Sequence, residues 1–257
     1  FAEVEATLPN EAKVKHFFHQ DDGRKGKEYK TEIRDRTRLL KKTEYEWDST
    51  LSRGIYTTLL EEEKVTDYHP TSSGSKITET TYEYDSYGNI EEIGHLGDRS
   101  TSSDNWYEVF DYVYNVGSWI VDKPKIHQKL KGSARTRVSE EKFYYDGRGY
   151  GLSPTDGELT KIKKWLNTGT DIEMDYNYDS YGNIIRETDP NDHSTSYIYD
   201  STHTFPTTIT NAKGHSSTYT YDLGTGNIFT ETDSNGYTTS YRYDTFGRKT
   251  KEIQPYD

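Results

Sequence analysis

Aspartates that recur with a glycine close behind are the first candidates for chemistry in this chain. A row of carboxylates could form a cation ladder, but calcium sites need six or more converging oxygens. These acids fall one to a turn, where aspartate bonds its own backbone and glycine accepts a positive φ. We therefore expect them to shape turns rather than to bind metal. The aspartates are Asp85, Asp179, Asp200, Asp222 and Asp244, and the glycines are Gly88, Gly182, Gly226 and Gly247.

Other candidate constellations are weaker. Asp233-x-Asn235-Gly236 resembles the start of a calcium loop, but the distal acidic residue is missing. His193 and His215 hold matching places in successive repeats, yet two imidazoles alone make a poor metal site. The sequence has no cysteine, no Gly-x-Ser-x-Gly elbow and no His-Glu-x-x-His. We therefore predict no catalytic residue, no cofactor, no metal site and no enzyme activity.

Each of these aspartates closes a Tyr-x-Tyr-Asp tetrad, and the tetrads form an internal repeat. From Asp179 onward the acidic residue recurs at spacings of 21, 22 and 22 residues. A fixed period in this range is typical of architectures in which each unit buries its surface against its neighbours. The tetrad tyrosines are Tyr82 and Tyr84, Tyr176 and Tyr178, Tyr197 and Tyr199, Tyr219 and Tyr221, and Tyr241 and Tyr243. Looser copies end at Asp48, Asn115 and Asp146.

The composition makes tyrosine the main apolar residue of this repeat. Ile, Leu, Val and Phe total only 43 of 257 residues and the net charge is −12, a pairing typical of disorder. Against disorder stand 24 tyrosines and 4 tryptophans at regular intervals. Aromatic rings bury a large area and favour strands. We expect an ordered protein with thin aromatic seams rather than one thick core.

One period reads as strand, turn, strand, turn. Second turns are predicted halfway between the tetrads, at 189–192, 211–214 and 233–236. Two turns of four residues leave two strands of about seven residues in each period. Alternation along 215–221 and 237–243 puts the tyrosines on one face and polar residues on the other. The predicted fold is all-β, with repeated antiparallel β-hairpins forming a curved or spiralling sheet.

We divide the sequence into three segments of one continuous β structure. Residues 1–40 are an N-terminal β segment, 41–173 are irregular repeats with loop insertions, and 174–257 are regular repeats. The insertions at 96–106 and 147–157 are rich in glycine and polar residues, and we expect long loops there. Residues 59–65 are predicted to be strand or turn.

One stretch of the sequence strongly resembles the YD repeat of the rearrangement-hotspot (Rhs) family. It runs from Gly226-Asn227-Ile228 through Asp233-Ser234-Asn235-Gly236 to Tyr241-Arg242-Tyr243-Asp244 and Gly247-Arg248. The segment from His16 to Lys30 is similar to the one that precedes the repeats in the B component of bacterial toxin complexes. The resemblance implies hairpins joined into a strip that spirals around a hollow. Such shells enclose a toxin in toxin complexes and serve at the cell surface in teneurins and wall-associated proteins. The family's C-terminal core motif is absent here, so neither self-cleavage nor toxin activity is carried over.

The sequence thus predicts a non-enzymatic structural protein outside the cell, either a fragment of a toxin-enclosing shell or a protomer that assembles into filaments. Expected partners are other copies or further YD repeats through strand edges, an enclosed toxin polypeptide and surface glycans. The alternative is a cell-surface module that binds carbohydrates or a receptor. An acidic pI near 5.2 argues against nucleic acid, and no apolar run is long enough to insert into a membrane. Because the chain opens at Phe1, we expect a processed product or a piece of something longer.

Overall fold

A computed structural model describes residues 2–9, 11–69 and 74–256, and the regular secondary structure of these residues is almost entirely β. Their regular structure consists of nineteen strands and a single 3₁₀ turn, Val116–Ser118. The chain divides into two compact units, residues 1–141 and 142–257. Phe1 lies outside the described residues. No helix in the described part of the chain has the length and apolar character needed to cross a membrane.

Unit 1 is an antiparallel meander in which every registered pair joins strands that are consecutive in sequence. The hairpin of β4 and β5 is the longest, with strands of 15 and 14 residues. The strands are β1 Glu3–Thr7, β2 Lys13–Phe18, β3 Glu28–Asp35, β4 Arg38–Ser52, β5 Ile55–Tyr68, β6 Ser75–Tyr84, β7 Ile90–Leu96, β8 Trp106–Asn115, β9 Ile120–Lys131 and β10 Thr136–Tyr145. The division between the units falls within β10.

Unit 2 continues with short and regular antiparallel hairpins. Its strands are β11 Leu159–Lys164, β12 Ile172–Tyr178, β13 Ile184–Thr188, β14 Ser194–Tyr199, β15 Pro206–Thr210, β16 Ser216–Tyr221, β17 Ile228–Thr232, β18 Thr238–Tyr243 and β19 Lys249–Ile253. From β13 onward the strands have five or six residues, so the predicted length of seven was too long. The difference arises because each turn uses five or six residues rather than four.

The all-β prediction of repeated antiparallel hairpins is confirmed. Residues 59–65 lie in β5, and the predicted loops at 96–106 and 147–157 largely fall between strands, after β7 and after β10. The threefold division into 1–40, 41–173 and 174–257 stays a prediction.

Few side chains are fully buried, and the two faces of the strands differ. In β16, Tyr219 and Tyr221 are half-buried whereas Thr218 and Thr220 are exposed. In unit 1, charges alternate in sign across four strands, since Lys30 lies opposite Glu44 and Lys64 lies opposite both Glu44 and Glu79. Directly opposed unlike charges stabilise a sheet modestly. Packing therefore depends on half-buried aromatic side chains and on unlike charges that face each other across neighbouring strands.

Candidate functional site

The repeated aspartates organise the turns through one oxygen that accepts two backbone bonds. Asp179 Oδ1 accepts from the N–H of Tyr181 at 2.9 Å and of Asn183 at 3.0 Å. Asp85 and Asp244 make the same pair of bonds. The backbone N–H of Arg248 and its guanidinium lower the pKa of the Asp244 carboxyl. These carboxylates are therefore ionised acceptors of turn N–H groups.

Backbone geometry explains the glycine in these turns. The N–H of Asp179 bonds the carbonyl of Asn183, and the N–H of Gly182 bonds the carbonyl of Asp179. Gly182 has a φ of 83°, and Gly88 and Gly247 have similar values, which non-glycine residues adopt only with strain. The turns that begin at Asp200 and Asp222 each contain one more residue. The shorter turns, such as the one from Asp179 to Asn183, have the shape of a type I turn with a following bulge.

The turns halfway between the tetrads use the same arrangement. Asp189 and Asp233 each accept two backbone N–H bonds, from the residues two and four positions later. Asn211 does so as well, with Lys213 at 2.9 Å and His215 at 3.1 Å. A neutral amide at this position shows that the turn needs an oxygen acceptor rather than a charge.

The second tyrosine of each tetrad extends the bonding between strands beyond the backbone ladder. The ladder between β17 and β18 ends at Thr230 opposite Ser240, and the Tyr243 hydroxyl then donates to the carbonyl of Ile228 at 2.9 Å. Buried backbone carbonyls need a donor, and the hydroxyl provides it. The same bond joins Tyr84 to Leu60, Tyr178 to Leu159, Tyr199 to Ile184 and Tyr221 to Pro206. In the loose copy that ends at Asn115, the first tyrosine makes it instead, from Tyr112 to Ile90.

In three tetrads the first tyrosine bonds a glutamate on a neighbouring strand. In a fourth, Tyr176 donates to the Met174 sulfur at 4.0 Å. Tyr197 donates to Glu187 at 2.6 Å, and Glu231 accepts from both Tyr219 and Tyr241 at 3.3 Å. Burial, together with the Glu187 carboxylate, raises the pKa of Tyr197 to about 12. The paired tyrosines thus bind strand to strand through two kinds of acceptor, one in the backbone and one on a side chain.

Residues 223–256 match the RHS Repeat family. This stretch of the chain is a YD, or Rhs, repeat. The resemblance seen in the sequence is confirmed, and the matched stretch contains β17, β18 and β19 with their tyrosines. Among curated protein sequences, none matches this chain.

Solved structures share the fold of this YD-repeat chain at low sequence identity. The crystal structure of TcdB2-TccC3-TEV superposes with a TM-score of 0.75 and 11% identity over 98% of this chain and 20% of that chain. TcdB2-TccC3 without its hypervariable C-terminal region gives a TM-score of 0.71 and 12% identity over 94% of this chain and 19% of that one. The Photorhabdus luminescens Tc holotoxin pore with the TccC3-D651A mutation gives 0.70 and 12%, over 94% and 19%. The chain thus spans about a fifth of the length of these solved chains.

Adjacent YD turns contact each other at one end of the strands. The side-chain amide of Asn183 donates to the carbonyl of His203 at 2.9 Å, and the rings of Tyr181 and His203 stack with centroids 3.8 Å apart. In unit 1, Asn89 makes the matching bond to the carbonyl of Val121 at 2.6 Å. In these two turns the asparagine after the glycine therefore bonds a backbone carbonyl near the end of the neighbouring hairpin.

Sequence reasoning missed several residues of these YD repeats. Glu187 and Glu231 carry the acceptor for the first tyrosine, and both occur in Asn-Ile-x-x-Glu-Thr, a motif visible in the sequence. Asp192 and His203 take the place of the turn glycine with φ values of 63° and 55°. No spacing signal marks them, because other residue types fill this position only where surrounding contacts hold the strained backbone.

The histidines singled out by their spacing belong to the turns. His193 bonds Asp189 through its backbone and through its ring, Nδ1 to Oδ2 at 3.2 Å. His215 donates its backbone N–H to Asn211. Over residues 2–9, 11–69 and 74–256, no three His, Asp or Glu side chains are grouped to hold a metal ion.

A groove in unit 1 combines aromatic and charged side chains. It has a volume of about 630 Å³ and is lined by Tyr29, Tyr45 and Trp47 among lysine, arginine and glutamate residues. Its acid Glu62 has its pKa raised by burial and by the charge of Glu79.

Proposed function

We propose that this chain is a non-enzymatic wall segment of a hollow shell or tube outside the cell. The observation that carries the proposal is the use of the recurring polar groups. The tetrad hydroxyls bond backbone carbonyls on neighbouring strands. The turn carboxylates bond backbone N–H groups of their own turns. Residues whose polar atoms are engaged in this way bind strands together, whereas catalytic groups must face a substrate.

The content of the shell is part of the proposal. Chains of TcdB2-TccC3 and of a Tc holotoxin pore share the fold over nearly the whole of this chain. The resemblance to toxin-complex shells supports an enclosed toxin polypeptide as a partner and an extracellular location. Other copies or further YD repeats would extend the wall through strand edges, since open edges recruit strands. In a second form of the wall, copies of this chain would join head to tail into a filament.

The groove near Trp47 supports the alternative of a surface binding module. Aromatic rings among polar groups suit the stacking of sugars. However, the Trp47 indole Nε1 donates to the Glu28 carbonyl at 2.7 Å, so this ring also holds strands together.

A hydrogen-exchange experiment on the whole chain separates the wall from the binding module. For a wall we expect the amides of β14, β16 and β18 to exchange slowly, and Tyr199→Phe with Tyr221→Phe to speed their exchange. A glycan array then probes the groove with the wild-type chain and with Tyr29→Ala. Fast exchange in all three strands, or saturable glycan binding lost in Tyr29→Ala at unchanged stability, overturns the proposal.

Electron microscopy of the isolated chain over a range of concentrations tests the filament form. Head-to-tail strand pairing predicts elongated particles that lengthen with concentration. Discrete small particles at every concentration contradict that form and leave the wall segment to be extended by other repeats.

A further inference from the structure

The hairpin of β4 and β5 extends farther than the strands on either side of it. The registered pairing of β3 with β4 ends at Glu44, and that of β6 with β5 ends at Glu62. Strands β4 and β5 stay paired with each other beyond these points, as far as Ser52 and Ile55 at the turn. Residues 47–60 therefore form a two-stranded ribbon within unit 1, which we call the projecting hairpin.

Comparison with the regular repeats shows that β5 begins early. In β13, β15 and β17, the carbonyl that accepts the tetrad hydroxyl belongs to the first residue of the strand. In β5 the corresponding acceptor is Leu60, which receives the Tyr84 hydroxyl at 2.9 Å, and the strand already starts at Ile55. Residues 55–59 therefore lie beyond the point where the neighbouring tetrad strand stops bonding.

The open backbone groups on this edge of β5 belong to Tyr56 and Thr58. An antiparallel strand directs the N–H and C=O groups of alternate residues to the same side. Because the Leu60 carbonyl meets Tyr84 on the side of β6, the backbone groups of Tyr56 and Thr58 face that side too. In the described part of the chain, no strand is registered against them there. The edge thus presents groups that a further strand can bond.

One face of the projecting hairpin is braced by the segment between β2 and β3. The Thr58 hydroxyl donates to the Gly23 carbonyl at 2.6 Å. Gly23 also lies so close to Ser49 and to the Tyr56 ring that a Cβ would not fit there. A two-stranded ribbon alone is marginally stable in water, so this contact holds the hairpin in place. The open edge is therefore presented by an ordered element.

The edge is almost uncharged in a strongly acidic chain. Between Asp48 and Glu61 the only charged residue is Arg53, whereas 30% of the chain is charged and the net charge is −12. Ile55 is 71% exposed and Tyr56 is 44% exposed. Exposed apolar edges recruit strands, and charged residues are what normally prevent it. Repulsion between two acidic chains is therefore weakest at this hairpin.

The sequence of this edge is complementary to a second copy of itself. When two such strands run antiparallel with their Thr57 residues opposite each other, Tyr56 of one copy lies opposite Thr58 of the other. The open backbone groups then meet, and each such pair exchanges two hydrogen bonds. In the same register, Ile55 lies opposite Leu59, which gives an apolar pair on either side of the centre.

Charge favours the same register. Arg53 and Glu61 stand four residues before and four residues after Thr57. Antiparallel pairing centred on Thr57 therefore brings Arg53 of one copy to Glu61 of the other, and it does so twice. Both residues are exposed in the single chain. Backbone groups, apolar side chains and charges thus select one partner and one alignment.

We propose that the projecting hairpin is a docking surface for a second copy of this chain, through antiparallel pairing of residues 55–59 about a two-fold axis at Thr57. The contact is the same on both copies, so it closes and yields a dimer rather than a filament. It is smaller than a stable interface, so we expect a reversible dimer with a dissociation constant of about 10 to 500 μM. The proposal does not depend on the wall function, because it uses a hairpin that outruns the repeats.

A single introduced thiol tests the register, because the chain has no cysteine. The two Thr57 residues would face each other as a pair without backbone bonds, with Cα atoms about 4.5 Å apart, which a disulfide can span. We expect Thr57→Cys to form a cross-linked dimer under mild oxidation at least about tenfold faster than Thr50→Cys. Thr50 is the matched control, because it is exposed and lies opposite Thr57 on β4, one strand farther from the axis.

Substitutions on the edge give an independent test by sedimentation. Ile55→Lys places a charge opposite Leu59 and should weaken the dimer at least about tenfold. Leu51→Lys changes another exposed apolar residue of the same hairpin, on β4, and should have little effect. Arg53→Glu and Glu61→Arg should each weaken the dimer about twofold to fivefold, and combining them should restore it.

Several results would overturn the proposal. They are a monomer at every concentration up to about 500 μM, equal cross-linking rates for the two cysteine variants, and equal weakening by Ile55→Lys and Leu51→Lys. Binding of the monomer to vesicles of phosphatidylcholine and phosphatidylserine, lost in Ile55→Lys, would identify a membrane as the occupant instead. Unchanged circular dichroism shows that each variant keeps its fold. Slow amide exchange in β14, β16 and β18 of a chain that stays monomeric would leave the wall function standing.

Discussion

The indole Nε1 of Trp47 donates a hydrogen bond to the carbonyl oxygen of Glu28 over 2.7 Å. Glu28 lies opposite Phe18 at a bulge, as Ile228 lies opposite Tyr221 in unit 2. Trp47 is the third residue of the loose tetrad Tyr45-Glu46-Trp47-Asp48, so its ring performs the task of the second tyrosine. The repeat therefore requires an aromatic ring with a donor at its far end, and tryptophan satisfies that requirement as tyrosine does.

Removing one hydroxyl from a tetrad should weaken the fold. In Tyr221→Phe the Pro206 carbonyl loses its bond of 2.9 Å, and we expect the free energy of unfolding to fall by about 1 kcal/mol. Denaturant unfolding monitored by circular dichroism measures the change. Tyr181→Phe is the matched control, because Tyr181 is an exposed turn residue whose ring stacks on His203 and is retained. An equal loss in both variants would contradict the role of the hydroxyl.

The turn aspartates can be tested with an asparagine that the protein already uses. Asp233→Ala removes the acceptor for the N–H groups of Asn235 and Tyr237 and should lower the melting temperature. Asp233→Asn keeps that oxygen, as Asn211 does one repeat earlier, and should lower the melting temperature clearly less. Thermal unfolding compares the two variants. If Asn is as damaging as Ala, charge rather than acceptor geometry holds the turn.

Strain at Asp192 predicts a stabilising substitution. Asp192 has a φ of 63° at the turn position where Gly214 and Gly236 stand in the following repeats. A left-handed backbone costs a non-glycine residue roughly 1–2 kcal/mol, so Asp192→Gly should raise the free energy of unfolding by up to about 1 kcal/mol. Gly236→Ala, at a φ of 84° in open space, should lower it by a similar amount. The prediction fails if Asp192→Gly melts earlier than the wild type.

Alkaline pH should loosen the tyrosine seam. Burial and Glu187 raise the pKa of Tyr197 from 10.0 to about 12 in the folded chain. Folding thus favours the neutral phenol. Its contribution to the stability of the fold is fully present below pH 10 and is lost as pH rises toward 12. Tyr197→Phe should be less stable than wild type at about pH 8 but should lose less stability between about pH 10 and 12. Urea unfolding at several pH values measures how the stability of the wild type and of Tyr197→Phe changes with pH. Equal changes in the two proteins would exclude Tyr197 as the source of the alkaline destabilisation.

Mild acid should destabilise unit 1 through His95. Its Nε2 is buried with no hydrogen-bond partner among the described residues, and the ring stacks on Trp106 at 3.6 Å. Burial lowers the pKa of His95 below 6.5, although the Glu108 carboxylate opposes this in part. The unfolded chain therefore binds the proton first, and stability falls as pH drops through 6.5.

His95→Phe keeps the stack and cannot titrate. We expect its melting temperature to fall less than that of the wild type between about pH 7 and 5, the range in which an ordinary histidine titrates. His215→Gln is the control, because His215 contributes its backbone N–H to a turn. Carboxylates with lowered pKa, such as Asp233, titrate below this range. Identical acid profiles for wild type and His95→Phe would exclude this histidine.

The sequence alone determined the repeat, its all-β class and its turns. Period and residue type were sufficient because Asp bonds backbone N–H groups two and four positions later, which is local chemistry. Alternation of tyrosine with threonine in β16 likewise fixed the half-buried face. For these reasons the sequence pattern alone places Tyr219 and Tyr221 on one face of a strand and Asp222 at the start of the turn that follows it.

Only the tertiary structure decided where the hydroxyls go. The bond from Tyr243 to the Ile228 carbonyl joins residues fifteen positions apart and lies beyond the last registered pair of β17 and β18, Thr230 and Ser240. A one-residue shift in register changes which groups face each other, and no local pattern specifies it. The same reason hid Glu231 as the acceptor shared by Tyr219 and Tyr241. Local chemistry thus fixed the turns and the faces, whereas the pairing of distant strands fixed which acceptor each tyrosine bonds.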